Sequence, residues 1–389
     1  MIHAMDDVIY LDHNATTPCD PRVVEAMLPF FTEKAANPTS RSHRPGLEAS
    51  VALEAARSVV VRSIGGRSAS EIVFTASATE ANNLALFGAV AALRDRGAHI
   101  ISQRTEHASV LGPLRELERR GWKVSLIGVD PHGRVRLDEL EGAFRDDTVL
   151  VSLMLANNET GVVQPVVEAA GLAAGRGALV HCDAVQGLGK IPVDVGRLGV
   201  DLLSLSAHKC YGPKGVGALW VRHSRPPIRL GTQIFGGGQE AGLRSGTPNV
   251  PGAVGFARAV ELTADDDLGA TTALRDRLEA AIVGGLEDVS INGGEVPRLP
   301  NTTNLAFAGV EASALLVSLP DVAAATGSAC TSSQPEPSTV LQAMGVPRKL
   351  AGGSLRLSVG RHTTEDEVDR AATRIVEEVT RLREMPRRL

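Results

Sequence analysis

The segment Thr148-Val-Leu-Val-Ser-Leu-Met154, a helical pattern over 166–176, and then Ala178-Leu-Val-His181 decide the fold. A mostly apolar run of this length without polar alternation reads as a strand buried on both faces. Two such runs joined through a helix form a β-α-β unit, which sets the strands parallel. The alternation extends outward in both directions. Strand patterns occur at Glu71-Ile-Val-Phe-Thr75, Ala98-His-Ile-Ile-Ser102, Val124-Ser-Leu-Ile-Gly128 and Ala218-Leu-Trp-Val221, with helical patterns at 82–94, 109–120 and 137–144. The expectation is an α/β protein with a mostly parallel sheet covered by helices on both faces. From about residue 263 the pattern changes to a helix over 270–283, strand signals at Asn304-Leu-Ala-Phe307 and Leu355-Arg-Leu-Ser-Val359, and a charged helix over 364–383. This predicts a second, smaller α+β domain.

With 389 residues the chain is longer than one hydrophobic core usually supports. Its net charge of −5, with both signs interspersed, offers no basic surface for nucleic acid or an anionic membrane. The start, Met1-Ile-His-Ala-Met-Asp-Asp7, lacks the basic and apolar regions of a secretory signal, and no apolar run is long enough to span a bilayer. A cytoplasmic location is expected, and the Asn-x-Thr sequences at Asn14 and Asn301 are then chance matches to a glycosylation pattern. The cysteines Cys19, Cys182, Cys210 and Cys330 are too widely spread for a zinc site or a disulfide framework. Cys182 and Cys210 adjoin apolar strand runs and read as packed residues.

In open parallel sheets, ligands bind beyond the carboxyl ends of the strands. Lys209 falls there, in Ser206-Ala-His-Lys209 after Val200-Asp-Leu-Leu-Ser-Leu205. A lysine at a buried strand end can be kept partly neutral by desolvation, and its amine can then condense with an aldehyde. Taken alone, it fits a solvated loop lysine as well. Thr105-Glu-His107, Asn157-Asn-Glu159, and Asp183 with Gln186 each follow a strand pattern. Ser77 and Glu80 fit a capping box opening the next helix, whose N-terminus suits a phosphate. An ordinary capped helix fits that motif equally, and Asp183 or His107 singly fits a structural role. Together they supply an amine, a carboxylate, an imidazole, an amide and an anion cradle, the set a pyridoxal 5'-phosphate site needs. In that reading Asp183 keeps the ring nitrogen protonated, His107 lies over the ring and moves protons, and Gln186 reaches the phenolic oxygen.

These strings, with Tyr10-Leu-Asp-His-Asn-Ala-Thr-Thr-Pro18, Arg244-Ser-Gly-Thr247 and Gly327-Ser-Ala-Cys-Thr-Ser332, resemble nearly end to end the cysteine desulfurases of the NifS/IscS type. That group lies within the class V aminotransferase family of fold-type I pyridoxal phosphate enzymes. The resemblance implies a large cofactor-binding domain over 16–262 with a seven-stranded, mostly parallel sheet. It implies a small domain from 1–15 and 263–389 that carries the catalytic cysteine loop at about 325–338. Lys209 would hold the cofactor, Asp183 would pair with its ring nitrogen and His107 would stack on it. Ala78, Thr79, Ser206 and His208 would bind the phosphate, with Thr247 supplied by the second subunit of a homodimer. Asn158 and Arg356 would hold the substrate carboxylate, Arg356 through a bidentate fork.

Cys330 decides the implied reaction, conversion of L-cysteine to L-alanine with its sulfur passing to the Cys330 thiol as a persulfide. The segment around it is rich in Gly, Ser, Thr and Pro, which predicts a loop rather than a regular element. A free thiol has a pKa of roughly 8.5, so a local proton acceptor is required, and His107 is expected to serve. The loop resembles that of group I members, which pass sulfur to a scaffold or carrier protein. The chain ends at Leu389, soon after Thr380-Arg-Leu-Arg-Glu384, whereas related housekeeping members extend further to dock an iron-sulfur scaffold. The acceptor therefore stays open among iron-sulfur assembly, tRNA thiolation, nitrogenase maturation and DNA sulfur modification. Rival readings are a selenocysteine lyase or another class V enzyme, a nucleotide-binding α/β protein, and a non-catalytic scaffold. Neither Gly212-Pro-Lys-Gly-Val-Gly217 nor Gly236-Gly-Gly238 fits a nucleotide fingerprint at a strand-to-helix turn.

Overall fold

The computed structural model describes residues 8–327 and 338–385, so Cys330 lies outside the described residues. In chain order the strands are β1 (Ile9–Tyr10), β2 (Ile72–Thr75), β3 (His99–Gln103), β4 (Lys123–Ile127), β5 (Thr148–Met154), β6 (Leu179–Asp183), β7 (Leu202–Ser206), β8 (Gly217–Val221), β9 (Val289–Ile291), β10 (Thr302–Phe307), β11 (Val322–Ala323) and β12 (Ser354–Ser358). Seven of them form one sheet in the order β2-β8-β7-β6-β5-β3-β4. Strands β3 to β7 pair in parallel, while β8 lies antiparallel between β2 and β7. Two antiparallel steps leave β2 pointing the same way as β7. The carboxyl ends of β2, β3, β5, β6 and β7 therefore meet at one edge.

The strand residues split by parity between two helical layers. Ile72, Phe74, Leu203, Leu205, Ala218 and Trp220 pack into one cluster and Val73, Leu202 and Leu219 into another. The first cluster includes residues of α2 (Arg44–Ser63), α6 (Val166–Ala174) and α8 (Val250–Leu262); the second includes residues of α3 (Ala78–Leu93) and α4 (Ala108–Arg119). Between these runs α1 (Pro21–Met27), α5 (Leu137–Ala143) and α7 (Val195–Leu198) complete this part of the chain. All seven residues of β5 are buried, as its mostly apolar run without polar alternation requires.

The rest of the chain builds a three-stranded antiparallel sheet, β12-β10-β9, and a parallel pair, β1-β11. Helices α9 (Leu268–Gly285) and α13 (Glu365–Glu384) contribute Leu278, Ile282, Val368, Ala371, Ile375 and Val379 to its core, which Ile9 and Leu11 join from the other end of the chain. The short helices α10 (Ala312–Ser318), α11 (Thr339–Ala343) and α12 (Arg348–Gly352) lie between. Helix α13 opens on a reciprocal Thr364/Glu367 capping box, with acidic residues in its first turn and Arg381 and Arg383 in its last, matching the helix dipole at both ends.

Candidate active site

The carboxyl edge of the large sheet carries the polar residues. Asp183 ends β6 and is 6% exposed. Its Oδ2 accepts from Asn82 Nδ2 at 2.8 Å and its Oδ1 from the Val185 N–H at 3.0 Å. His107 caps α4, and its Nδ1 accepts the Ser109 N–H at 3.1 Å. That bond places the ring proton of the neutral imidazole on Nε2. Burial lowers the His107 pKa, with Asp183 opposing and Lys209 assisting, so the three groups lie within electrostatic reach of one another. The tautomer restricts the expected role of His107 as a proton acceptor. In the neutral resting state its free ring nitrogen carries a proton, so it offers a donor.

Lys209 closes the single turn after β7, and its Nζ donates to the carbonyls of Asn14 and Ala15, both at 2.6 Å. Gln186 is buried; its Nε2 also donates to the Asn14 carbonyl, at 3.0 Å. Asn14 thus connects the segment after β1 to both residues. His208, next to Lys209, meets Thr16 Oγ1 through Nδ1 at 3.1 Å, and burial with the neighbouring lysines pushes its pKa down to about 4.

Ala78 and Thr79 form the first turn of α3, with Ser77 as N-cap accepting the Glu80 N–H at 3.2 Å. The capping box is half formed, because Glu80 Oε2 takes the Ala76 N–H at 3.0 Å instead of that of Ser77. The Ser77 N–H is thereby spared at the helix start. Ser206 pairs with Gly217 across β7 and β8, and a Cβ on Gly217 would stand 2.8 Å from the Ala78 nitrogen. Ser206 Oγ is buried and has no partner among the described residues. An orphaned hydroxyl beside a helix N-terminus, where only glycine leaves room, fits a phosphate group. The residues present therefore fit pyridoxal phosphate.

Arg356 lies on β12 and is buried. Nη1 donates to the Asn158 carbonyl at 2.9 Å and Nη2 pairs with Asp12, while Nε is buried without a partner among the described residues. The Asn158 contact to Arg356 is thus through its backbone. Thr247 is exposed, and no described hydrogen bond joins it to this cluster; its loop is anchored nearby through Arg244, whose Nε is 2.8 Å from Glu80. The thiols of Cys182 and Cys210 are buried, with pKa values raised by desolvation, that of Cys210 to about 12, in keeping with packed, unreactive residues.

Lys190 is a residue of this cluster that the sequence reading passed over, and Asn14 and Glu159 lie in strings it quoted without giving them a role. Lys190 Nζ donates to Gln186 Oε1 at 2.6 Å and to Asn14 Oδ1 at 3.2 Å; the four-residue spacing from Gln186 was its only signal. Glu159 follows Asn158, accepts from Ser338 Oγ, and abuts Gly327, so one carboxylate touches both ends of the segment that contains Cys330.

Comparisons with known proteins show the family. The aminotransferase class-V family pattern matches residues 9–371. The chain is 50% identical over 380 residues to the cysteine desulfurase IscS of Anaeromyxobacter sp. (strain Fw109-5), covering 97% of this chain and 94% of that protein. Among solved structures, a NifS-like protein superposes with a TM-score of 0.87 at 39% identity, over 95% of this chain and 99% of that one. SspA in complex with cysteine superposes with a TM-score of 0.81 at 33% identity, over 91% and 99% respectively. A sheet edge that gathers an amine, a carboxylate and an imidazole beside an anion-ready helix start, in a chain this similar throughout, has one reading: the protein belongs to the class-V aminotransferase family.

Proposed function

We propose that the protein is a cysteine desulfurase that uses pyridoxal 5'-phosphate to convert L-cysteine to L-alanine. The substrate C–S bond breaks and a new S–S bond forms to the Cys330 sulfur as a persulfide; of the two thiol protons one ends on the alanine β carbon and one on the persulfide sulfur, while the proton taken from Cα returns to Cα. No outside oxidant or reductant is needed. The observation that carries the reading is the placement of Lys209, Asp183 and His107 at one sheet edge beside the unpartnered Ser206 hydroxyl.

Lys209 is the residue that would carry the cofactor, Ala78, Thr79, Ser206 and His208 would hold its phosphate, and Asp183 and Gln186 would contact its ring. When bound, pyridoxal phosphate supplies an electron sink for the Cα–H and C–S bonds. The chain does the rest. The Lys209 amine is the base in the cluster able to take the Cα proton. His107, neutral near pH 7, directs its Nε2–H at a substrate heteroatom. Arg356 and Asn158 orient the substrate carboxylate, and the Arg356 Nε–H, without a partner among the described residues, is the donor left for it.

The division into a domain of 16–262 and a second of 1–15 with 263–389 belongs to the same proposal, since it assigns Arg356 and Lys209 to different domains. So does a homodimer in which Thr247 completes the partner's phosphate site; the exposed apolar side chains of Leu28, Phe31, Val51 and Phe235 are available to it. No helix among the described residues is long and apolar enough to cross a membrane. A cytoplasmic enzyme handing sulfur to an acceptor protein, of the iron-sulfur scaffold or another sulfur pathway, is the setting proposed.

The test is intact-protein mass spectrometry after incubation with L-cysteine. One added sulfur, mapped to Cys330, is expected, and Cys330→Ser should bind cofactor yet add none. Undiminished sulfur release by Cys330→Ser, or a Lys209→Ala protein that keeps covalently bound yellow cofactor, sinks the proposal.

A further inference from the structure

Lys190 is the buried cation that the proposed chemistry leaves without a task. While protonated its amine is only a donor, so each group it then bonds must turn an oxygen toward it. Gln186 Oε1 at 2.6 Å and Asn14 Oδ1 at 3.2 Å are those oxygens. The consequence for each amide is directional. With Oε1 held by Lys190, Gln186 Nε2 faces the Asn14 carbonyl at 3.0 Å, and that carbonyl also holds Lys209 Nζ at 2.6 Å. With Oδ1 held, Asn14 Nδ2 faces Thr302 Oγ1 at 2.8 Å and the Asn158 carbonyl at 3.4 Å. The amine therefore sets the rotation of Gln186, beside the lysine of the site, and shares with Asn301 Nδ2, 3.1 Å from Asn14 Oδ1, the hold on the Asn14 amide beside Asn158.

We propose that Lys190 is a positioning residue that locks Gln186 with its N–H, never its carbonyl, turned toward the phenolic oxygen of the cofactor, and that it holds through Asn14 the carbonyl that orients Lys209. This rests on the proposed function and extends it to a residue that touches neither substrate nor cofactor. A free amide flips at little cost in water; buried between Lys190 and Asn14, a flipped Gln186 would set its NH2 against an ammonium and its carbonyl against another carbonyl, leaving all four groups unsatisfied. Burial pushes the Lys190 pKa down to about 7, with Lys209 and Arg356 lowering it and Cys210 opposing, and His13 lies within reach as well. Charged or neutral, the amine still donates to both oxygens.

The readout is the pH at which the absorbance of the pyridoxal phosphate holoenzyme changes colour. An N–H on the phenolic oxygen withdraws electron density and favours loss of the nearby proton, so removing that control raises the midpoint. Lys190→Met, which keeps the stem and removes the donor, is expected to take up cofactor and shift the midpoint upward by about one pH unit, a tenfold change in the proton equilibrium. Gln186→Leu should shift it likewise, and the double variant should shift no further than Gln186→Leu alone, because Lys190 acts through Gln186. Additive shifts, or an unchanged midpoint in Lys190→Met, overturn the inference. Denaturation midpoints of the apoproteins check folding, with Lys190→Gln as second variant; collapse of both assigns Lys190 to the core and also overturns it. A wild-type protein that takes up no pyridoxal phosphate refutes the proposed function instead.

Discussion

Replacing Arg356 with methionine keeps most of the apolar stem of a side chain that is 6% exposed and removes its guanidinium. Two of the three guanidinium nitrogens are already engaged, Nη1 with Asn158 and Nη2 with Asp12, and Nε is buried without a partner among the described residues. A substrate carboxylate could therefore take Nε–H and one further N–H. Hydrogen bonds to charged groups contribute about 1.5–3 kcal/mol each. The Asp12 carboxylate offsets part of the charge, so the lower end applies, and two bonds give about 3 kcal/mol. At 1.4 kcal/mol per factor of ten, KM for L-cysteine should rise roughly 100-fold. The fold should survive, because Asp12 is 20% exposed and can rehydrate. Steady-state alanine formation from L-cysteine, compared with turnover of cysteamine, which has no carboxylate, isolates the effect. The wild type should favour L-cysteine by a wide margin and Arg356→Met by little. A variant that retains the wild-type preference refutes the assignment.

Other outcomes follow from particular contacts. Arg361 forks Asp266, reaches Asp20 Oδ2 at 2.9 Å and lies 4.1 Å from the Tyr211 ring centroid; Arg361→Met should cost about 3 kcal/mol in urea denaturation, because it strands a largely buried carboxylate that Arg22 only partly compensates. A denaturation midpoint equal to the wild type would contradict that role. A Cβ at Gly327 would stand 2.0 Å from Glu159 Oε2, so Gly327→Ala should slow persulfide formation severalfold while cofactor uptake is unchanged; equal sulfur-loading rates in rapid-quench mass spectrometry would count against it. Burial and Asp183 raise the pKa of Glu106 well above 4.5. The folded state then holds a proton that the unfolded state has lost, so wild-type stability falls as pH rises from about 4.5 toward the folded value. Glu106→Gln should match the wild type below that window and gain relative stability through it, and parallel stability-versus-pH curves would show that Glu106 is ionised in the fold.

Residues whose meaning is carried by local pattern were legible. The apolar runs that became β5, β6 and β7 are buried on both faces, so no polar alternation competes with the strand signal. Helix α13 announced itself as a charged helical pattern over 364–383, and Asp183 and Lys209 through their place after strands. Helices α2 and α8 were passed over because they bury small residues, such as Ala49, Ala56, Gly252 and Ala253, which give little apolar contrast. The antiparallel turn of β8 was likewise invisible, since a strand pattern carries no direction.

The contacts that complete the site join residues far apart in the chain. Asn14 reads as part of a chance glycosylation pattern, yet its carbonyl holds Lys209 and Gln186 and its amide oxygen is held by Lys190 and Asn301. Nothing in a one-dimensional pattern reports which way an amide faces or which carboxylate abuts both ends of a loop. The chain's own order of apolar runs and strand-end residues was sufficient for the α/β class and for placing Lys209, Asp183 and His107 at one sheet edge, because hydrophobic burial and the edge of a parallel sheet are imposed by local sequence. The His107 tautomer, the orphaned Ser206 hydroxyl and the lock of Lys190 on Gln186 were decided only by packing, because a hydrogen bond's direction depends on partners that folding alone brings within 3 Å.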